Sequence, residues 1–130
     1  MVIGTHKMAH ILLIDDDESI RSMLTEALEE DGHTVRIAAN GKQGIERYNS
    51  AIDLVITDII MPEQEGIQTI MQLRKEDPDV KIIAMSGGGR ARGDDYLNLA
   101  KKLGALHTFS KPLDLIRFLD AVKSVTSGND

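Results

Sequence analysis

The sequence contains no cysteine, and this absence excludes disulfide bonds, thiol catalysis and zinc sites built on cysteine. It also lacks an apolar run of the roughly 18–20 residues that a membrane-spanning helix needs. Residues 1–10 have no apolar core of the kind found in a signal peptide. Basic residues number 15 against 21 acidic ones, and the net charge of −6 argues against a nucleic-acid-binding surface. We therefore expect a cytoplasmic protein that contacts neither nucleic acid nor membrane.

The length of 130 residues fits one domain with a buried core, and a hydrophobic content of 42% is ordinary for a globular protein. Five short apolar segments are typical of strands, the first of them buried on both faces. These predicted strands cover residues 10–14, 34–38, 52–58, 80–85 and 106–110. We expect the domain to span residues 10–126. Residues 1–9 are interpreted as an N-terminal extension or a cloning remnant, and residues 127–130 as a polar tail.

Apolar residues recur at helical spacing between the strands and after the last one. In chain order they form five faces: Ile20, Met23, Leu24, Ala27 and Leu28; Ile45 and Tyr48; Ile67, Ile70 and Met71; Tyr96, Leu99, Ala100 and Leu103; and Leu115, Phe118, Leu119 and Val122. Gly32 and Gly104 are expected to end the first and fourth helices, because glycine tolerates the left-handed backbone at a helix end. Alternating strands and helices predict a mostly parallel sheet with helices on both faces.

Chemically active side chains follow four of the predicted strands. In a parallel sheet the carboxyl ends of all strands share one edge, and ligands bind where the strand order reverses. With the order 2-1-3-4-5, Asp15, Asp16 and Asp58 would crowd one crevice, and their charges would repel unless a cation joined them. Mg²⁺, or Mn²⁺, suits such a set of oxygen ligands. Ser86 and Lys111 add a hydroxyl and an ammonium, which completes a site for a phosphoryl group on a carboxylate.

These strand ends carry a family resemblance over about residues 9–126. The motifs are Asp15-Asp16, Asp58 followed by Pro62 and Gly66, Ser86, and Lys111-Pro112. Together they resemble a two-component response-regulator receiver domain. The resemblance implies a flavodoxin-like fold, which is a doubly wound, five-stranded parallel sheet in the order 2-1-3-4-5 with five helices on both faces.

The resemblance also implies a role for each site residue. Asp58 would be the phosphoacceptor. Asp16, Asp58 and the carbonyl oxygen of Ile60 would bind Mg²⁺ directly, whereas Asp15 would act mainly through metal-bound water.

Ser86 and Lys111 would contact the phosphoryl group, and the Lys111-Pro112 bond is cis in many members of the family. Phosphorylation would pull Ser86 inward and shift the face formed by the fourth helix and the fifth strand. The implied partners are a sensor histidine kinase or a histidine phosphotransfer protein, and a downstream protein target. Because the chain ends soon after the fifth helix, we expect a stand-alone regulator. We also expect a monomer or weak dimer that is not an enzyme beyond its own phosphorylation and dephosphorylation.

Three features depart from the family pattern. One is the apolar side chain of Ile60 beside the site, which we predict to hinder water and slow the loss of the phosphoryl group. The usual switch aromatic would lie three residues before the lysine, where this chain has Thr108. Phe109 follows it, and we expect that ring to point into the core. The loop of residues 86–93 is glycine-rich, and it would either wrap the phosphoryl group or remain a solvated connection.

Other interpretations remain open. A small phosphohydrolase would also form an aspartyl phosphate, but such enzymes commonly carry a second acid at the position that Ile60 occupies. A nucleotide-binding domain would use Gly87-Gly88-Gly89, yet this loop follows the fourth strand and lacks the lysine of a phosphate loop. A receiver that only dimerises would not need the complete set of acids, hydroxyl and lysine. Asp17 is interpreted as an acidic helix start. The four histidines show no ligand spacing: His6, His10, His33 and His107.

Overall fold

The computed structural model describes residues 8–59, 65–87 and 97–127. One parallel sheet contains five strands in the order β2-β1-β3-β4-β5. The strands are β1 (His10–Ile14), β2 (Thr34–Ala38), β3 (Leu54–Asp58), β4 (Ile82–Ser86) and β5 (His107–Ser110). The predicted strand order and direction are confirmed. Three of the strands begin one or two residues later than predicted, as is common at element ends.

Five helices accompany the sheet, and their polar caps follow from the sequence. They are α1 (Glu18–Glu30), α2 (Gly41–Arg47), α3 (Glu65–Glu76), α4 (residues 97–102 of the described part) and α5 (Leu115–Thr126). Asp17, Asn40 and Asp114 accept hydrogen bonds from backbone N–H groups in the first turns of α1, α2 and α5. Asp17 is therefore a helix start, as predicted. Gly32 and Gly104 have φ values of 95° and 100°, which only glycine adopts freely, and they follow α1 and α4.

The core has one layer on each face of the sheet. In β1, Ile11 and Leu13 belong to the layer that contains Leu24 of α1 and Phe118 of α5. Leu12, the residue between them, belongs to the opposite layer under α2, α3 and α4. Alternate residues of a strand point to opposite faces, so two helical layers require a continuously apolar strand. The described residues include no helix long and apolar enough to cross a membrane.

Three predicted core positions are wrong. Met23 and Met71 are exposed, the latter by 55%. Each lies at the margin of the helix face that packs on the sheet and not at its centre. Successive helical residues are rotated by about 100°, so Met71 turns away from the sheet when Ile70 faces it. Leu99 is also exposed, by 40%, whereas Leu97 and Ala100 are buried. The contact face of α4 is thus rotated from the predicted one. Tyr96, which was predicted to belong to this face, lies outside the described residues.

Candidate functional site

The strand ends bring most of the predicted site residues to one edge of the sheet. Asp15 directly follows β1, and Asp58 is the last residue of β3. Ser86 is the last residue of β4, and Lys111 directly follows β5. The pairing of Ile14 with Thr57 places the two acidic strand ends side by side. The predicted convergence of these four residues is therefore present, while Ile60 lies outside the described residues.

The three acidic residues form a close cluster. Asp15, Asp16 and Asp58 each offer one carboxylate oxygen, and these oxygens lie within 4.8 Å of one another. Asp15 is fully buried, Asp58 is only 4% exposed, and Asp16 is exposed. Three carboxylate oxygens this close together at the edge of the sheet fit a hard divalent cation, which prefers oxygen ligands and usually keeps several waters. The donor set therefore suits Mg²⁺ or Mn²⁺.

Hydrogen bonds fix the position of the acidic loop after β1. The Asp15 N–H group donates to the Ala38 carbonyl oxygen over 3.1 Å. The Asp17 N–H group donates to Asp15 Oδ1 over 2.9 Å. The Arg21 guanidinium donates from Nη1 to the Asp15 carbonyl oxygen over 2.8 Å. Sequence reasoning missed Arg21, because a bond to a backbone carbonyl leaves no trace in residue types.

Lys111 joins the two buried carboxylates. Its Nζ lies 2.8 Å from Asp15 Oδ2 and 3.2 Å from Asp58 Oδ2. Burial lowers the pKa of the Lys111 ammonium, but the hydrogen bonds and negative charges of Asp15 and Asp58 raise it more. The net effect is a pKa above the ordinary value, so the ammonium stays charged at neutral pH. The peptide bond between Lys111 and Pro112 is cis, in agreement with the resemblance.

Ser86 presents a hydroxyl group at the same edge. The residue is buried, and its Oγ has no hydrogen-bond partner in the described part of the chain. Its carbonyl oxygen accepts a hydrogen bond from the Lys111 N–H group over 2.8 Å, which ties the ends of β4 and β5 together. An unsatisfied buried hydroxyl is costly, by about 1–3 kcal/mol, and calls for an explanation such as an absent polar partner.

Gly66 allows α3 to pack directly behind Asp58. A Cβ atom on Gly66 would lie 2.6 Å from the Asp58 carbonyl oxygen and 2.8 Å from the Ile59 carbonyl carbon, and it would also overlap Ile59 Cα. Such contacts are shorter than backbone atoms tolerate, so only glycine fits this position. The Ile59 N–H group donates to the Met85 carbonyl oxygen over 2.9 Å, which holds the same turn against β4.

Two of the three departures from the family pattern, the switch aromatic and the glycine-rich loop, have different outcomes. Phe109 is partly buried and packs edge-on against Phe118, with ring centroids 5.5 Å apart, as expected for a ring that points into the core. Thr108 is partly buried as well. Of the glycine-rich loop, residues 88–93 lie outside the described residues, and so do Arg90 and Arg92 within it.

A comparison with protein families identifies the family to which this arrangement of site residues belongs. The family model described as the response regulator receiver domain matches residues 11–123. The chain belongs to the receiver domain family. Receiver domains bind Mg²⁺ at an acidic pocket, and they interact with histidine kinases and downstream targets in two-component signalling.

Individual relatives support the assignment. The receiver domain is 34% identical over 114 residues to sporulation initiation phosphotransferase F of Bacillus subtilis, covering 87% of this chain and 90% of that protein. It is 36% identical over 126 residues to the DNA-binding transcriptional regulator NtrC of Azospirillum brasilense, covering 93% of this chain but only 25% of that protein. The chain thus spans nearly all of one relative and a quarter of the other.

Solved receiver structures share the fold. A response regulator receiver domain protein from Clostridium thermocellum is 31% identical with a TM-score of 0.81, covering 90% of this chain and 93% of that one. The response regulator protein TrrA from Thermotoga maritima, in complex with Mg²⁺-BeF, is also 31% identical. Its TM-score is 0.76, and the match covers 91% of this chain and 99% of that one.

Proposed function

We propose that this receiver domain is a stand-alone response regulator that accepts a phosphoryl group on Asp58. The donor would be a sensor histidine kinase, a histidine phosphotransfer protein or a small phosphodonor, and the reaction would require Mg²⁺ or Mn²⁺. The observation that carries the proposal is the contact of the Lys111 ammonium with the carboxylates of Asp15 and Asp58, at 2.8 Å and 3.2 Å. Asp58 shares this site with Asp15 and Asp16, and its exposure of 4%, against none for Asp15, supports its assignment as the acceptor.

In the proposed step, a carboxylate oxygen of Asp58 attacks the phosphorus atom of the donor. A P–O bond forms to Asp58, and the P–N bond of a phosphohistidine, or the P–O bond of an acyl phosphate, breaks with its electron pair leaving on the donor. Such transfers depend on positioning and on charge neutralisation. Lys111 supplies one fixed positive charge, and the Ser86 hydroxyl would donate a hydrogen bond to a phosphoryl oxygen.

The acidic cluster would hold the divalent cation, which supplies charge neutralisation to the transferring group when bound. Asp16 and Asp58 are the proposed direct ligands, together with the Ile60 carbonyl oxygen. Asp15 already accepts hydrogen bonds from Lys111 and from the Asp17 N–H group, which supports an indirect role through metal-bound water. The Ile60 side chain is proposed to slow hydrolysis of the phosphoryl group by hindering water.

The output would be a change of protein-binding surface. A phosphoryl group adds roughly −1.5 to −2 charge at neutral pH. We infer that Ser86 moves toward it and that the face of α4 and β5 shifts, which would alter contact with a downstream protein target in the cytoplasm. The domain would act as a monomer or weak dimer, with no turnover beyond its own phosphorylation and dephosphorylation. Unchanged backbone NMR shifts of residues 97–110 on addition of Mg²⁺ and a stable phosphate analogue would contradict this output.

Intact-mass measurement tests the central step. The protein is incubated with Mg²⁺ and acetyl phosphate, and one added phosphoryl group is expected. The variant Asp58→Asn should take up none, whereas Asp120→Asn, which changes an exposed acid on α5, should behave as the wild type. A wild-type protein without an adduct, or an undiminished adduct in Asp58→Asn, would reject the assignment of Asp58.

A further inference from the structure

Thr57 lies directly before Asp58 in β3, and its hydroxyl group bonds to the backbone of Asp58. The side chain of Thr57 is fully buried, and its Oγ1 donates to the Asp58 carbonyl oxygen over 3.0 Å. On the neighbouring strands Thr57 is paired with Ile14 and Ala84, and both belong to the apolar layer under α2, α3 and α4. A hydroxyl group is therefore present at a strand position where the neighbouring side chains are apolar.

Packing alone does not explain this hydroxyl group. Removing a polar group from water costs free energy, and a hydrogen bond is needed to offset that cost. Valine is β-branched like threonine and favours strands as well, and it would occupy an apolar layer without burying a polar atom. What threonine adds at position 57 is thus the hydrogen bond to the Asp58 carbonyl oxygen.

This hydrogen bond holds one end of a peptide group whose other end is also held. The Asp58 carbonyl group and the Ile59 N–H group belong to the same planar peptide unit. The N–H group donates to the Met85 carbonyl oxygen of β4 over 2.9 Å, while the carbonyl group accepts from Thr57. Gly66 closes off the same oxygen, since a Cβ atom built there would lie only 2.6 Å from it. The peptide unit after Asp58 is consequently fixed from three sides.

The orientation of this peptide unit matters for the Asp58 carboxylate. The unit is joined directly to the Cα atom that carries the side chain, so a tilt of the unit would also move the carboxylate. Asp58 is only 4% exposed and Ile59 is fully buried, so water has little access to replace the Thr57 hydroxyl group. Loss of this hydroxyl should therefore widen the range of positions of the carboxylate, which lies 3.2 Å from the Lys111 ammonium.

We propose that Thr57 is a positioning residue for phosphoryl transfer: its hydroxyl group fixes the peptide unit after Asp58 and thereby aims the carboxylate at the phosphorus atom of the donor. The inference rests on the proposed function of Asp58. Thr57 acts through the backbone of Asp58, because its hydroxyl group bonds to the main-chain oxygen.

Two substitutions separate the hydroxyl group of Thr57 from its methyl group. Thr57→Val keeps the branched shape and loses the donor, whereas Thr57→Ser keeps the donor and loses a buried methyl group, which lowers stability. We expect the rate of phosphorylation to follow the hydroxyl group. Serine should match the wild type, and valine should be slower by about twofold to tenfold, the factor that corresponds to one neutral hydrogen bond. A purely structural role would instead make the rate follow the urea midpoint, which serine should lower.

Thr126 provides a matched control. It is also a buried threonine, and its Oγ1 donates to the Val122 carbonyl oxygen over 2.7 Å. It is the last residue of α5 and lines a cavity together with Asp53 and Lys81, which precede β3 and β4. Thr126→Val therefore removes the same kind of hydrogen bond at the opposite edge of the sheet, and its rate of phosphorylation should equal that of the wild type.

The experiment follows phosphorylation by acetyl phosphate with Mg²⁺ in the wild type and the three variants, by intact mass. Hydrogen exchange of the Ile59 amide, measured by NMR, reports on the peptide unit directly. Exchange should be faster in Thr57→Val and unchanged in Thr57→Ser.

Several results would overturn the positioning role of Thr57. These are a wild-type rate in Thr57→Val, a serine variant as slow as the valine variant, a slowed Thr126→Val, or unchanged Ile59 exchange in Thr57→Val. A wild type that takes up no phosphoryl group would reject the proposed function of Asp58, and with it the role of Thr57 in transfer. The Ile59 exchange rates would then decide by themselves whether the hydroxyl group fixes the peptide unit.

Discussion

Replacing Asp58 by asparagine is expected to stabilise the metal-free protein. Asp58 is 4% exposed and lies within 4.8 Å of Asp15 and Asp16. At that distance its repulsion from buried Asp15 is at least about 3.5 kcal/mol with an effective dielectric constant near 20. Its repulsion from exposed Asp16 is smaller, about 1 kcal/mol with the dielectric constant of water. Attraction to Lys111 at 3.2 Å amounts to about 5 kcal/mol with an effective dielectric constant near 20.

The repulsive and attractive energies of Asp58 therefore nearly cancel, and desolvation decides whether Asp58→Asn stabilises or destabilises the protein. Burying a carboxylate costs several kcal/mol, and a neutral amide of the same shape avoids most of that cost. We expect Asp58→Asn to raise the free energy of unfolding by about 1–3 kcal/mol, the part of this desolvation cost that remains after the ion pair with Lys111 is replaced by a weaker hydrogen bond to the amide oxygen.

Mg²⁺ should reduce or reverse the difference in the free energy of unfolding between Asp58→Asn and the wild type. A ligand that binds only the folded state adds about 2.7 kcal/mol to its stability when present at a hundred times its Kd. The wild type, with three carboxylates in the cluster, should gain this stability, and Asp58→Asn should gain less. The stability gap between the two proteins is thus expected to close as Mg²⁺ is added.

Urea denaturation followed by far-ultraviolet circular dichroism measures both effects, because the chain has no tryptophan for fluorescence. The unfolding free energies of wild type, Asp58→Asn and the control Asp120→Asn are compared with a chelator and with Mg²⁺. A metal-free Asp58→Asn protein less stable than wild type would refute the energy balance. Equal stabilisation of both proteins by Mg²⁺ would refute the role of Asp58 in binding the cation.

Two further predictions concern other parts of the domain. Gly66→Ala should lower the free energy of unfolding by about 1–3 kcal/mol, because its Cβ atom would press on Ile59; an unchanged urea midpoint would contradict this. Burial and the 2.6 Å hydrogen bond to Asp77 raise the pKa of Tyr48 above its ordinary value of 10.0. The stability that the neutral phenol contributes to the folded state is therefore complete below pH 10, and it is lost as the pH rises through the folded-state pKa. Absorbance titration should show one phenol that ionises above the usual range and that Asp77→Asn brings down; an ordinary midpoint for both tyrosines would contradict it.

The strand order and the meeting of the site residues could be predicted because both follow from local patterns. A strand covered on both faces must be continuously apolar, as β1 is, and parallel strands must end at the same edge. The meeting of the four site residues can therefore be predicted without any knowledge of side-chain packing. These residues are Asp15, Asp58, Ser86 and Lys111. The part of the site that depends on strand ends alone is readable from the sequence.

Packing between elements could not be predicted in the same way. Leu97 and Leu99 are equally apolar, and only the docking of α4 on the sheet decides that the first is buried and the second exposed. Arg21 bonds to a backbone carbonyl, which every residue type possesses.

The edge of the sheet carries more negative than positive charge, and this excess is what the proposed reaction would use. Three carboxylates lie within 4.8 Å of one another, and Lys111 brings one positive charge to two of them. The surplus negative charge favours a divalent cation, and with the cation bound the edge would tolerate the further charge of a phosphoryl group. The Ser86 hydroxyl, which has no hydrogen-bond partner among the described residues, is then the donor that this group would engage. Because the Ser86 carbonyl oxygen is bonded to the Lys111 N–H group, a movement of Ser86 would reach β5 directly.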